Sequence, residues 1–156
     1  MLWLCLHFPL LPLEVFSRAD ARERPLAVTD HEHIVLCANA LAAQHGITAG
    51  CSASTAQALC TDLHLQPRAP ALESAALQSL ADWAYRFTPQ LAPQPPDMLL
   101  LELGASLRLF GGLERLLAVA ESELTARCYT HRSGLAPTPL AAMPTGIASG
   151  PCDGDG

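Results

Sequence analysis

The sequence predicts an α+β fold. Three observations predict it: a nearly continuous apolar run at the N-terminus, an apolar hairpin near residue 100, and two amphipathic helical stripes between and after them. The resulting order is βαββαβ, with a small unit inserted after the first strand. In this ferredoxin-like arrangement two helices cover one face of an antiparallel sheet. Many unrelated functions use this fold, so the fold alone indicates no chemistry.

The first strand is predicted over Leu2 to Phe8, which reads Leu-Trp-Leu-Cys-Leu-His-Phe and stops at Pro9. A short run with almost no polar alternation is typical of a strand covered on both faces. We therefore expect this strand to lie in the interior of the sheet. His7, near its end, is expected to be buried by packing.

A hairpin is predicted at the start of the inserted unit. Leu26 to Thr29 and His33 to Ala38 are β-rich and flank the polar Asp30-His31-Glu32. His31 and His33 would share one strand face, as some metal ligands do. No Cys, Asp or Glu stands beside them at a spacing typical of zinc sites. We therefore expect a solvated hairpin tip.

Two short helices complete the inserted unit. The first is predicted from Asn39 to His45 and ends at Gly46, because glycine adopts the left-handed conformation without steric cost. Ser52 or Ser54 can cap the second helix, which runs through about Leu59. The region from Arg18 to Asp62 is thus predicted to be a small α+β unit of its own.

The first long helix is predicted after Pro70 and ends before Pro89. Its apolar residues follow steps of four, four, three and four, which places them on one face. We expect them to form the core, with Trp83 turned toward the sheet. They are Leu72, Ala76, Leu80, Trp83 and Phe87.

The remaining elements are a hairpin, a second helix and a last strand. A short strand near Gln90, a turn at Pro93 to Pro96 and the apolar run Met98 to Leu103 predict the hairpin. Tyr129 to Leu135 is the predicted last strand. Three glycines are expected in loops and at helix entry, since they do not form GxGxxG: Gly104, Gly111 and Gly112. The second helical stripe comprises Leu113, Leu116, Leu117, Ala120 and Leu124.

Charge and cysteine content limit the function classes. All nine basic residues are arginine, and with 15 acidic residues the net charge is -6. This balance gives no cationic surface for independent DNA binding, so we expect weak DNA binding or none. The six cysteines have no CxxC spacing, and no signal peptide or apolar span of about 20 residues is present. We expect a cytoplasmic protein with reduced thiols.

Five motifs in order resemble the N-terminal part of ImuB-like proteins, members of the Y-family DNA polymerase (UmuC-type) superfamily. The resemblance covers residues 1–142, in which the core would be the palm and about residues 20–70 the fingers. Residues 143–156 are small, polar and helix-breaking, and we expect them to be a disordered, aberrant tail. The motifs are Leu2 to Phe16, Asn39 to Gly50, Trp83 to Pro89, Leu101 to Gly112 and Gly134 to Ala142.

The resemblance implies that catalytic carboxylates are replaced. Active Y-family enzymes bind two Mg²⁺ through an aspartate on the first strand and an Asp-Glu pair in the later hairpin, and these positions match His7, Asp97 and Met98. We expect Asp97 to be a turn residue. Glu102, five residues later, is expected on the opposite strand face, where it cannot substitute. Positions that contact the sugar or triphosphate match Pro12, Ala40, Ala43 and Pro139.

The resemblance therefore implies no catalytic, cofactor-binding or metal-binding residues and no cofactor. It implies an adaptor in a bacterial DNA-damage (SOS) mutagenesis system. Its partners would be an ImuA-type protein, an error-prone replicative-type DNA polymerase and the sliding clamp. Family regions for most of these contacts follow the palm and fingers, so we expect a fragment or a truncated copy. A diverged DNA-directed nucleotidyltransferase and a nonfunctional gene remnant are the alternatives.

Overall fold

The computed structural model describes residues 1–17 and 23–143. Contacts divide this part of the chain into two compact units, one of residues 1–11 and 71–143 and the other of residues 12–17 and 23–70. Each unit contains one sheet. The expected disordered tail lies, beyond Met143, outside the described residues.

Seven strands and seven helices are present in the described ranges. The strands are β1 (Trp3–His7), β2 (Leu26–Thr29), β3 (Val35–Ala38), β4 (His64–Pro67), β5 (Leu91–Gln94), β6 (Met98–Glu102) and β7 (Arg132–Ala136). The helices are α1 (Leu11–Ser17), α2 (Ala40–Ala43), α3 (Ala53–Leu59), α4 (Pro70–Ala84), α5 (Leu107–Phe110), α6 (Leu113–Ala126) and α7 (Pro139–Ala142).

The larger unit has the predicted ferredoxin-like topology. Its sheet order is β5-β6-β1-β7, and every neighbouring pair is antiparallel. With α4 between β1 and β5 and α6 between β6 and β7, the chain order is βαββαβ. The prediction that the first strand is internal is confirmed, because β1 pairs with β6 on one side and β7 on the other.

The two faces of this sheet follow from the register. Residues directly opposite each other in an antiparallel pair share a face. Leu4 is opposite Leu101 and Leu6 is opposite Leu99, and all four are buried. Together with the apolar stripes of α4 and α6, they form the core on one side of the sheet. The other side, here called the open face, holds the alternate residues of each strand, Cys5 and His7 among them. In the described ranges it carries no long helix, but α7 covers part of it, where Cys5, Leu100, Ala136 and Ala142 form a small buried cluster.

The apolar stripe of α4 differs from the predicted one in its first half. Leu72 is 49% exposed, and the buried position in that turn is Glu73. At about 100° per residue, Glu73 lies only about 20° around the helix from Leu80, whereas Leu72 lies about 80° away. The charge of Glu73 obscured this periodicity. The predictions for Leu80 and Phe87 are confirmed, since both are buried.

Trp83 is buried, as predicted, and its indole lies beside α6. Its Nε1 donates a hydrogen bond of 3.0 Å to Glu123 Oε2, and its ring meets Phe87 edge-on with centroids 5.2 Å apart. Glu123 also forms an ion pair with Arg86. The Glu123 carboxylate on α6 therefore contacts Trp83 in the last turn of α4 and Arg86 just after that helix.

The other predictions for this unit are confirmed only in part. The stripe of α6 is correct, and its buried residues are Leu116, Ala120 and Leu124. The turn predicted at Pro93 to Pro96 is wrong in its first half, because Pro93 pairs with Leu99 as part of β5. The last strand begins at Arg132 rather than at Tyr129, whose ring packs against Phe8 with centroids 5.9 Å apart. The short helices α5 and α7 were not predicted.

The smaller unit contains the sheet β3-β2-β4, in which β2 is antiparallel to β3 and parallel to β4. The predicted helices are present, although α2 is shorter than expected. Asn39 Oδ1 caps α2 by accepting from Ala42 N at 2.9 Å, and Ser52 caps α3. Its core comprises Ala27, Val35, Ala42, Ile47, Ala56, Cys60 and Leu63.

The hairpin tip of this unit is solvated, as predicted. His31 and His33 are both exposed. They do not share a strand face, however, because β3 begins only at Val35 and His33 has a φ of 62°. The pKa of Asp30 is lowered, first by the backbone N–H of Ile34, which donates to its carboxylate.

No helix in the described ranges has both the length and the apolar composition needed to cross a membrane.

We predict that Trp83→Ala lowers the free energy of unfolding by about 3–5 kcal/mol, because it leaves a cavity and removes the indole donor from Glu123. Leu72→Ala, at an exposed position on the same helix, should change it by less than about 0.5 kcal/mol. Denaturant unfolding of the two variants and the parent protein measures both effects. Equal stability of the Trp83 variant and the parent would contradict the placement of α4.

Candidate functional site

The candidate site lies on the open face, at the end of β1. His7 is the last residue of this strand and stands opposite Met98 of β6 and Arg132 of β7. Cys5 lies two residues earlier on the same face. The strand register thus brings residues from three separate parts of the sequence into one row.

A hydrogen bond joins His7 to Asp97. His7 Nε2 and Asp97 Oδ2 are 3.1 Å apart, and Asp97 O accepts a second bond of 2.9 Å from Phe8 N. Asp97 lies in the turn before β6, as predicted, and His7 is only 8% exposed. The backbone hydrogen bond between Phe8 and Asp97 therefore holds the turn beside the end of β1, and the His7 and Asp97 side chains come into contact there.

Cys5 is the third reactive group of this row. The pKa of its thiol is raised, first by burial and then by the negative charge of Asp97. A Cys, a His and an Asp close together resemble the residues of a thiol nucleophile site. Activation requires a lowered thiol pKa. The electrostatics here act in the opposite direction, because burial and the charge of Asp97 favour the protonated thiol of Cys5.

A cleft of about 330 Å³ opens beside this row. Its wall is formed by β7 and α7, which packs on β1 and β7. Gly134 permits this packing, because a Cβ at that position would lie 2.6 Å from the carbonyl oxygen of Ala142. The cleft is lined by Cys5, His7, Arg132, Ser133, Gly134, Leu135, Ala141, Ala142 and Met143.

The predicted placement of Glu102 is wrong. It was expected on the face opposite Asp97, but its register partner Trp3 lies on the open face, and the Asp97 carboxylate reaches His7 on that face as well. The alternation rule fails because Asp97 precedes β6 and is not part of its pleat. Glu102 is nevertheless remote from His7, since it lies at the opposite end of β6.

The Glu102 carboxylate has a structural use at that end. Its Oε1 accepts bonds from Leu2 N at 3.2 Å and from Gly104 N at 2.8 Å. These bonds attach the start of β1 to the turn that follows β6. Gly104 lies in this turn, while Gly111 and Gly112 cap α5 and α6, as predicted.

The other positions singled out in the sequence are distributed over both units. Pro12 lies on α1 and Ala40 and Ala43 lie on α2, all in the smaller unit, whereas Pro139 is the first residue of α7. Arg132 was not predicted as a site residue. To predict this role for Arg132, the register between β1 and β7 must be known, because the register determines which residue of β7 lies opposite His7.

The row at the end of β1 offers one carboxylate, one imidazole, one thiol, one thioether and one guanidinium. Hydrogen bonding and charge pairing are within the reach of this set. Among residues 1–17 and 23–143 there is no group of three or more His, Cys, Asp or Glu side chains placed to hold a metal ion. The five cysteines in these ranges are free thiols.

The family follows from comparison with known proteins. Residues 11–144 match the model of the impB/mucB/samB family, described as IMS. The chain belongs to this family. This impB/mucB/samB family member is 35% identical over 97 residues to Protein ImuB of two Caulobacter vibrioides strains, NA1000 / CB15N and CB 15. That match covers 62% of the chain and 21% of ImuB, so the chain spans about a fifth of these relatives.

Solved structures of Y-family DNA polymerases share its palm and fingers fold. The crystal structure of DinB from Sulfolobus solfataricus has a TM-score of 0.67 and 18% identity, and the match covers 91% of the chain and 44% of DinB. The post-insertion binary complex of Dbh DNA polymerase has a TM-score of 0.71 with the same coverage and identity. The predicted fold class is confirmed.

We predict that Cys5 of the folded protein reacts with iodoacetamide far more slowly than Cys128 near neutral pH. Cys128 is exposed, whereas Cys5 is buried and its raised pKa leaves less thiolate at any given pH. Mass spectrometry of labelled peptides against time measures both residues, and unfolding in denaturant should equalise them. Labelling of Cys5 as fast as Cys128 in the native protein would contradict the burial of Cys5 on β1.

Proposed function

We propose that the chain is the palm and fingers part of a non-catalytic Y-family-like adaptor in DNA-damage-induced translesion synthesis and mutagenesis. The observation that carries this proposal is the 3.1 Å contact between His7 and Asp97. The family resemblance matches both residues to metal-binding aspartates. In this chain the first position is His7, and its ring forms a hydrogen bond with the Asp97 carboxylate. The carboxylate that remains therefore has a structural role.

The residues at these positions do not fit a pair of Mg²⁺ ions. Mg²⁺ prefers hard oxygen ligands in near-octahedral geometry, and two-metal transfer needs carboxylates that contact both ions. His7 and Met98 offer a nitrogen and a sulfur, which suit softer metals. Asp97 is the remaining carboxylate, and its Oδ2 already contacts His7. We therefore infer that this site does not carry out two-metal nucleotidyl transfer.

Side chains that would contact a nucleotide are also replaced. Ala40 and Ala43 carry only methyl groups where the family resemblance places a Tyr and an Arg toward the triphosphate. Pro139 stands at the position matched to a lysine, and Pro12 at the aromatic position that senses the sugar. None of these four side chains offers a hydrogen-bond donor or a charge to a triphosphate.

The charge balance supports action through proteins. Nine arginines against 15 acidic residues offer little gain from releasing counterions off DNA. We propose an ImuA-type protein, an error-prone replicative-type polymerase and the sliding clamp as partners, because the chain is similar to ImuB. Boundaries at about residues 20–70 for the fingers and at residue 142 for the palm are part of the same proposal.

We predict no primer extension by the purified chain with Mg²⁺ or Mn²⁺, because both ligand and triphosphate positions are replaced. A metal titration separates the two causes. His7→Asp combined with Met98→Glu should restore Mn²⁺ binding, measured by the paramagnetic spectrum of free Mn²⁺, without restoring extension. Extension by the parent protein that disappears in Asp97→Ala would overturn the non-catalytic proposal and favour a diverged nucleotidyltransferase.

We predict that the palm and fingers part itself binds at least one of the three proposed proteins from the source bacterium, with a Kd of about micromolar or tighter, although the family resemblance places most contact regions after this part. Surface plasmon resonance with the immobilised chain measures each partner separately. An undamaged DNA duplex at near-physiological salt serves as the comparison and should bind more weakly. If none of the three proteins binds the folded chain, the adaptor role fails and a nonfunctional remnant becomes the better interpretation.

A further inference from the structure

The strand β7 places a positive charge beside the positions that the family resemblance matches to metal ligands. Arg132 is directly opposite His7 in the register of β7 and β1, and both residues line the same cleft. Residues opposite each other in an antiparallel pair share a face, with Cβ atoms about 4.5–5.5 Å apart. A guanidinium is charged at every physiological pH. The charge of Arg132 is therefore close enough to act on an ion at His7 within the Debye length of about 10 Å at 0.1 M salt.

The side-chain charges at this end of β1 differ from those of a two-metal site. Two-metal transfer relies on several carboxylates, whose negative charge attracts both ions. Asp97 is the carboxylate of this row, and its Oδ2 lies 3.1 Å from His7 Nε2. Glu102 lies at the other end of β6, where its Oε1 accepts bonds from backbone N–H groups. Asp97 and Arg132 therefore contribute charges of opposite sign at the end of β1, and their sum is zero.

We propose that Arg132 excludes divalent cations from the three matched positions, which are His7, Asp97 and Met98. This role rests on the proposed non-catalytic function and adds a cause that the replaced ligands do not provide. His7 and Met98 weaken cation binding through their ligand atoms, which must contact the ion. Arg132 weakens it through charge, which acts without contact and persists when carboxylates are restored. A single and a double positive charge about 8 Å apart in water lower the affinity about fivefold.

The test measures Mn²⁺ binding to the full 156-residue chain through the paramagnetic spectrum of free Mn²⁺. The background is His7→Asp combined with Met98→Glu, which supplies carboxylates at all three matched positions. Adding Arg132→Gln to this background should tighten Mn²⁺ binding about fivefold at low ionic strength. The gain should shrink as salt is added, because salt screens the repulsion. Adding Arg132→Lys should leave the affinity unchanged, because lysine keeps the positive charge.

The matched control is Arg108→Gln in the same background. Arg108 is also exposed, but it lies in α5, which follows the end of β6 that is remote from Asp97. The two glutamine variants therefore change the net charge equally and differ in where they remove it. Equal tightening of Mn²⁺ binding by both would indicate an effect of net charge alone and would overturn the proposal. An unchanged affinity after Arg132→Gln, or a gain that salt does not reduce, would also overturn it.

Circular dichroism checks that each variant is folded. If His7→Asp unfolds the chain, Met98→Glu alone provides a carboxylate next to Asp97, and Arg132→Gln is compared in that protein. Absence of Mn²⁺ binding even after Arg132→Gln refutes the exclusion by charge. Primer extension by the parent protein tests the proposed function separately. A parent that extends no primer, together with no effect of Arg132→Gln on Mn²⁺ binding, would refute the role of Arg132 alone.

Discussion

The larger unit depends on β1, the strand at the centre of its sheet. The backbone groups of β1 need hydrogen-bond partners along both edges, and its side chains need contacts on both faces. Its backbone pairs with β6 along one edge and with β7 along the other. Leu4 and Leu6 therefore face the helical core, while Cys5 and His7 face the opposite side. A polar side chain that is buried on a strand in this position needs a hydrogen-bond partner. His7 meets this requirement through Asp97, which the neighbouring hairpin delivers to it.

The sequence predicts those elements of the fold whose burial is nearly complete. β1 and β6 are short apolar runs, and α6 has an apolar stripe free of charge, so their positions follow from periodicity. α4 is less predictable because Glu73 is buried on its apolar face while Leu72 is exposed. The start of β7 was missed for a related reason. Tyr129 has a strand-like side chain, but its ring is used to pack on Phe8 before the strand begins.

The site is less predictable than the fold. His7 and Asp97 are 90 residues apart, so no local sequence motif contains both of them. The family resemblance was the only signal in the sequence that related the two residues. Their contact depends on strand register, which also brings in Arg132. Glu102 shows the limit of the alternation rule. The rule holds within β6, but Asp97 precedes the strand, and its side chain turns to the face that the rule excludes.

The two bonds accepted by Glu102 have a practical consequence for attaching the molecule to surfaces or labels. The first residue held by the fold is Leu2, through its N–H, whereas Met1 is 87% exposed. An affinity tag or dye joined ahead of Met1 therefore ends one residue before the first anchored atom. Such an attachment point lies at the Trp3 end of β1, whereas the cleft lies at the His7 end.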